Sequence, residues 1–189
     1  MLIELSPLAV APERLDDLAH HLRFSTGFGR DPVVEAAMRT ALEAALRAVE
    51  RRTGRVLVAR RFGFAAPAWE PGGRLTLPVE PVTALVEIVL EDREGLRTAH
   101  PAENFILAPE SPPVVVARRG AAPARIPSGG RVVATFDAGW AAWSAVPAEL
   151  RQATLALAAG HFEGWRGDDA AASVGTVAAL LAPYRRVRL

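Results

Sequence analysis

The sequence predicts an α+β protein: a helical bundle, built from both ends of the chain, with a β-rich antiparallel insertion in the middle. Apolar residues recur at helical spacing between Pro32 and Arg52 and again after Pro147. Between 55 and 139 they alternate with other residues, and Pro and Gly clusters separate short segments, as in a small antiparallel sheet or sandwich. We predict one domain with N-terminal helices over 1–54, the insertion over 55–139, C-terminal helices over 146–182 and a tail over 183–189.

Two helices are predicted in the N-terminal part. Pro12 suits the first turn of a helix, and acidic residues follow it where the helix dipole is positive. STGFGR at 25–30 interrupts the apolar pattern. Asp31 is the candidate N-cap of the second helix, Pro32 fits its first position, and Gly54 marks its end.

The middle part contains one clear strand pattern, VTALVEIVLED. Val86, Ile88 and Leu90 are predicted to share one face, and the other face carries Leu85, Glu87, Val89 and Glu91. A turn is predicted at Asp92–Gly95, and further strands at Asn104–Leu107, Val114–Arg118 and Arg131–Phe136.

The C-terminal part is predicted to begin with a helix at Pro147. WRGDDAAASVG at 165–175 is interpreted as a loop, and Thr176 as the cap of a last short helix that ends at Leu181, before Pro183. One face of the first of these helices is predicted from Leu150, Ala153, Leu157, Phe162 and Trp165.

Composition excludes several classes of function. Cysteine is absent, which excludes disulfides, thiolate metal sites and cysteine nucleophiles. The net charge is +1, and all 22 basic residues are arginines, so there is no global nucleic-acid signature although a local basic patch remains an alternative. The apolar runs are shorter than the ~20 residues of a membrane span. The N-terminus lacks a basic segment typical of signal peptides, so a reducing cytoplasm is expected.

No motif indicates catalysis, a metal or a cofactor, so we expect none of the three. His20 and His21 are adjacent and therefore point in different directions on a helix, and His161 is expected in a core or an interface. Neighbouring acids, as in Asp16-Asp17, are interpreted as solvated. TGFGRDP at 26–32 contains G-x-G, but no strand precedes it and a proline takes the third glycine position of a nucleotide site.

Two further segments have more than one interpretation. Trp140 and Trp143 flank an apolar loop, and the alternatives are that they form a binding platform, that they anchor an interface, or that they pack against the sheet. The last seven residues, PYRRVRL, combine arginines with apolar residues that a purely solvated tail would not need.

Four segments together resemble the head–tail connector, or adaptor, proteins of long-tailed phages and of gene transfer agents. They span almost the whole chain in the expected order. The segments are VERRTGRVL at Val49–Leu57, LPVEPV at Leu77–Val82, FDAG with VPAEL at Phe136–Gly139 and Val146–Leu150, and LLAPYRRVRL at Leu180–Leu189.

This resemblance implies a non-enzymatic virion protein that is assembled in the bacterial cytoplasm. The expected arrangement is a ring, typically of twelve copies, beneath the portal protein. The ring extends the channel through which DNA passes without specific binding, and it receives the stopper or tail. The alternatives are a stopper or tail-terminator component, an arginine-rich nucleic-acid-binding module, and an enzyme with an unrecognised site.

The resemblance also suggests a role for the tail. We hypothesise that it is an arm that docks onto the portal, through apolar anchors and charge-assisted hydrogen bonds. The alternative is that the tail folds back onto its own helices. The apolar anchors would be Tyr184, Val187 and Leu189, the hydrogen-bond donors Arg185, Arg186 and Arg188, and Pro183 would end the helix before them.

Overall fold

The computed structural model describes residues 1–24, 31–118, 123, 125–164 and 167–185, with the backbone alone for 167–173. Within these residues the chain is of the mixed α+β class, as predicted, with four α-helices and two antiparallel sheets. The helices are α1 Pro12–His21, α2 Pro32–Thr53, α3 Ala148–Glu163 and α4 Gly167–Leu181. The strands are β1 Leu2–Glu4, β2 Arg60–Ala66, β3 Arg74–Thr76, β4 Val82–Glu91, β5 Arg97–His100, β6 Phe105–Ala108, β7 Val114–Ala117 and β8 Arg131–Ala138.

The chain divides into two compact units. The β unit contains Met1–Pro7 and Val58–Gly139, and the helical unit contains Leu8–Leu57 and Trp140–Leu189.

The β unit has a five-stranded sheet in the order β1-β2-β8-β4-β5. Phe62 of β2 lies opposite Phe136 of β8, and their stacked rings, 5.9 Å apart, are both buried. The sequence pattern did not predict β1, whose three residues are exposed and pair with β2. A second sheet, β3-β7-β6, places Phe105 against Trp69 at 6.0 Å.

The predicted alternation along β4 is wrong in part. Ile88 and Leu90 are buried as predicted, but Val86 is 38% exposed and Val89 is buried. The pairing of β4 with β8 shifts register twice, between Val82 and Ala84 and between Leu85 and Glu87. A bulge inserts an extra residue and re-aims the side chains around it, so a strict period of two does not survive along this strand.

The longest helix of the helical unit is α2, and its ends follow the prediction. The Asp31 carboxylate accepts a hydrogen bond from the Val33 N–H at 2.8 Å, and Pro32 follows the cap. Gly54 takes the left-handed conformation at φ +69°, which glycine adopts without steric cost. The core of this unit includes Leu18, Met38, Leu42, Leu46, Val49, Leu150 and Ala153, all essentially inaccessible to solvent.

Trp143 belongs to the core of the helical unit, so it is a packed residue and not an exposed binding platform. It is only 4% exposed, and its indole Nε1–H donates to Asp17 Oδ2 of α1 at 2.8 Å. The guanidinium of Arg14, also on α1, lies 5.6 Å from the centre of the indole ring. The aromatic ring therefore joins the start of α3 to α1 by a hydrogen bond and a cation–π contact.

The predicted loop before the last helix is also wrong. Residues from Gly167 onward are already helical, so Thr176 lies inside α4 instead of capping it. The reason is the alanine run at 170–172, because alanine has the highest helix propensity and outweighs the glycine and aspartates before it. The predicted end at Leu181 is confirmed.

Candidate functional site

The first residues of the predicted docking tail are fixed to the helical unit. After α4, Ala182–Tyr184 form a 3₁₀ turn that contains Pro183. The Tyr184 hydroxyl donates to Glu149 Oε2 at 3.1 Å, and its ring faces the guanidinium of Arg55 at 5.3 Å. Arg185 is exposed, and the remaining tail residues Arg186, Val187, Arg188 and Leu189 lie outside the described residues.

Local sequence brings the three partners of this contact together. Glu149 lies in the first turn of α3, directly after Pro147 and Ala148. Arg55 follows Gly54, which ends α2, and the Arg55 N–H donates to the Thr53 hydroxyl at 3.2 Å. The end of α2, the beginning of α3 and the turn after α4 therefore meet at Tyr184.

The environment of Tyr184 keeps its hydroxyl protonated at neutral pH. Burial raises the pKa of the phenol, and the hydrogen bond and the negative charge of Glu149 raise it further, while the positive charge of Arg55 opposes them. The neutral phenol is the form that donates to a carboxylate, so the contact persists across the physiological pH range.

A second feature, which we call the arginine-rimmed groove, lies beside the turn Ala182–Tyr184. It consists of two adjoining cavities of about 310 and 620 Å³ between α2, α3 and α4. Leu157 and Val174 line both cavities, as does Arg52. The other lining residues are Ala44, Arg47, Ala48 and Arg51 of α2, His161 of α3, Val177, Ala178 and Leu181 of α4, and Arg185.

The groove has an apolar floor and a basic rim. Leu157, Val177 and Leu181 are almost completely buried, whereas the side chain of Val174, which lines the same groove, is 54% exposed. Four arginines line the groove, and none of its described lining residues is acidic. Such a surface favours an occupant with aliphatic groups for the floor and carboxylates for the rim.

The sequence did not predict this groove, because one of its walls, α2, lies about a hundred residues before the other two in the chain. His161 was expected in a core or an interface, and it is exposed and lines the groove. The small residues Ala44 and Ala48 of α2 are the signal present in the sequence, since they leave space between neighbouring helices.

The candidate chemical residues are not brought together. Among the described residues there is no group of three or more His, Asp or Glu side chains that could hold a metal ion. His20 and His21 end α1, and His100 ends β5. Most of the TGFGRDP segment lies outside the described residues. None of the helices in the described part of the chain has the length and hydrophobicity that crossing a bilayer requires.

The comparisons with solved structures agree over the whole chain. The neck of an empty GTA particle, computed with C6 symmetry, contains a chain 37% identical to this one at a TM-score of 0.86; the match covers 100% of this chain and 97% of that one. The virion of a native gene transfer agent (GTA) particle gives 38% identity at a TM-score of 0.83, with the same coverage. The neck of a native GTA particle, computed with C12 symmetry, contains a chain with 36% identity at a TM-score of 0.78, also with the same coverage.

The fold and these likenesses define a class of protein: a structural component of a virion, with an oligomeric assembly. The chain belongs to the family of neck proteins of gene transfer agent particles. The expectation of a structural virion protein of a phage or gene transfer agent is therefore confirmed, and the likenesses are to gene transfer agent particles. No family model matches the sequence, and no curated protein matches it.

Proposed function

We propose that this protein is the adaptor of the neck, a ring that lies directly beneath the portal and connects the head to the stopper and tail. The observation that carries the proposal is the whole-chain likeness to neck structures, one of them computed with C12 symmetry. Twelve copies would match that symmetry. The lumen of such a ring continues the DNA channel, and DNA passes through it without specific binding. The proposal includes no catalytic step, because the neck proteins it resembles are structural components.

We further propose that residues 183–189 are the arm that docks onto the portal. The contact of Tyr184 with Glu149 and Arg55 supports this by fixing where the arm leaves the helical unit. Ordering a free segment costs about 1–2 kcal/mol per residue in backbone entropy, so a fixed root lowers the cost of docking. Because twelve arms would act together, weak docking by each one suffices.

The structural role of Tyr184 refines the predicted arm. Pro183 and Tyr184 form the root, and Arg185, Arg186, Val187, Arg188 and Leu189 supply the contacts to the portal. The arginines would donate charge-assisted hydrogen bonds to carboxylates, and Val187 and Leu189 would fill apolar pockets.

The proposal is tested by mass photometry of the protein mixed with its cognate portal ring. Three forms are compared: the full chain, a chain that ends at Arg185 and a chain that ends at Ala182. We expect a discrete heavier complex with the full chain only. The chain that ends at Arg185 is the matched control, because it keeps the Tyr184 contact and loses the last four of the five proposed docking residues.

Other outcomes identify other functions. Equal portal binding by all three forms would retain the adaptor and overturn the arm. Binding to isolated tails but not to the portal would make the protein a stopper or tail terminator. Tight DNA binding by the isolated chain that falls steeply with salt would favour a nucleic-acid-binding module instead.

A further inference from the structure

We propose that the arginine-rimmed groove of one copy receives the turn Asp92–Leu96 of the neighbouring copy in the ring. The inference deepens the proposed function and rests on its ring. It does not depend on whether the ring contacts the portal. It assigns the two different patches that a head-to-tail contact in a cyclic ring requires on each subunit.

The groove sets the chemistry of its occupant. Val174 exposes an aliphatic side chain above buried Val177 and Leu181, and covering it requires another apolar side chain. The arginines at the rim, among them Arg51 and Arg52, require anionic partners. Duplex DNA offers phosphates but no aliphatic side chain for the floor, so a protein segment with both features is the better match.

The turn between β4 and β5 has both features. Leu96 is 70% exposed, and Glu94, two residues earlier, is also exposed. The turn is well fixed: the Asp92 carboxylate accepts from the Leu96 N–H at 2.8 Å, and the Gly95 N–H donates to the Asp92 carbonyl at 3.2 Å. A fixed turn loses little conformational entropy when it binds, so its apolar tip and its carboxylate are preorganised.

The basic residue of this turn, Arg93, packs its aliphatic carbons against a neighbouring turn. The stem of Arg93 lies along Gly129, where an added Cβ would come within 3.7 Å of Arg93 carbons. The guanidinium is therefore carried on a side chain that packs towards the 127–130 turn. Glu94 and Leu96 remain the exposed groups that can enter the groove together.

Among the described residues, the start of α2 also presents an exposed aliphatic side chain near acids, and it is less suited. Val33 is 77% exposed at the start of α2. The carboxylates beside it are already engaged, because Asp31 accepts from the Val33 N–H and Glu35 pairs with Arg39 at 2.8 Å. Binding the arginine rim would compete with both interactions.

The absence of cysteine makes the contact directly testable by disulfide cross-linking. Leu96→Cys and Val174→Cys are introduced together into the full chain, and particles purified from producing cells are oxidised and examined on a non-reducing gel. We expect a ladder of covalent multimers that contains only this protein. Each single variant should give no more than a faint dimer. Two chains with different tags, one carrying Leu96→Cys and the other Val174→Cys, should give a dimer that contains both tags.

Two controls test whether the cross-link is specific to the turn and whether the cysteine variants assemble normally. Val86→Cys replaces Leu96→Cys in a matched pair with Val174→Cys, because Val86 is also partly exposed but lies outside the turn. Electron microscopy before oxidation shows that the cysteine variants still form complete particles. A charge exchange tests the contact independently. Arg51→Glu and Glu94→Arg are each expected to lower the yield of complete particles about fivefold or more, because one unfavourable charge pair is repeated around the ring. The double variant, which exchanges the two charges, is expected to restore the yield.

The inference is overturned if complete particles give no ladder, if the disulfide forms within one copy, or if the Val86→Cys control gives an equal ladder. A ladder with Val33→Cys and Val174→Cys, in the absence of one with Leu96→Cys, would assign the groove to the start of α2 instead. Failure of the adaptor proposal is distinct: the ladder would persist while the isolated protein fails to bind the portal.

Discussion

The Tyr184 hydroxyl donates a hydrogen bond to Glu149, 35 residues earlier in the chain, at an oxygen–oxygen distance of 3.1 Å. This contact connects the turn after the last helix to the first turn of α3. It determines where the following residues leave the helical unit, and it makes Tyr184 a positioning residue for the proposed docking arm.

Titration of Tyr184 tests this contact without interference, because it is the only tyrosine in the chain. Absorbance at 295 nm should report one phenol whose pKa lies above the ordinary 10.0. Glu149→Gln should bring that pKa down, because the charge that opposes ionisation is gone. A folded-state pKa above the unfolded one means that the stabilisation is complete below about pH 10 and is lost as the pH rises through the folded value. An ordinary pKa in the folded protein would contradict the contact.

Trp143 should contribute strongly to the stability of the helical unit. Trp143→Phe removes the hydrogen bond to the Asp17 carboxylate and should lower the free energy of unfolding by about 1.5–3 kcal/mol. Trp143→Ala also removes most of a buried ring and should cost about 3–5 kcal/mol. Urea denaturation measures both. Asp17→Asn keeps a carbonyl acceptor and should cost less than Trp143→Phe; costs that add fully in the double variant would show that the two side chains do not interact.

Gly139 is required at the end of β8. Its φ is +107°, and an added Cβ would lie 2.7 Å from the backbone of Val58, so Gly139→Ala meets both backbone strain and overlap. Gly95→Ala is the matched control, because φ is +87° there but nothing lies within 4 Å of the added atom. We expect Gly139→Ala to destabilise the protein by at least about 2 kcal/mol more than Gly95→Ala in thermal unfolding. Equal destabilisation by the two variants would mean that the backbone at Val58 moves away from the added Cβ at no cost in stability.

Asp137 should make stability depend on acid pH. Its two oxygens accept from Arg61 at 2.8 and 3.0 Å, and these hydrogen bonds lower the pKa of the carboxyl below its ordinary value of 3.8. The stabilisation is therefore present above the ordinary value and is lost as the pH falls through the lower, folded one. The stability difference between the protein and Asp137→Asn, from denaturation at pH 7 and pH 2, should be small because the pair is exposed, and it should shrink at pH 2. A difference that grows in acid would contradict this assignment.

Local signals predicted the parts of the fold that depend on local chemistry. Asp31 and Gly54 bound α2 because a capping carboxylate and a left-handed glycine act within a few residues. The start of α4 at Gly167 was missed because breakers and alanines compete within one segment, and sequence alone does not weigh them. The burial of Val89 was missed because the bulges in β4 depend on its pairing with β8.

The candidate site was predictable only in part. The tail was singled out by its own composition of arginines and apolar residues. Its contact with Glu149 and Arg55 arises from packing between residues more than 30 positions apart, and the groove beside it from the packing of separate helices. Periodicity and capping signals carry no information about such partners, because they report only on the few residues of a single element.

A cryo-EM reconstruction of the neck, from particles that contain this protein, is the most direct test. We expect a ring of twelve copies in contact with the portal, with residues 185–189 of each copy against a portal subunit and the turn Asp92–Leu96 in the groove of the next copy. A ring of this protein that is separated from the portal by another protein would contradict the adaptor function.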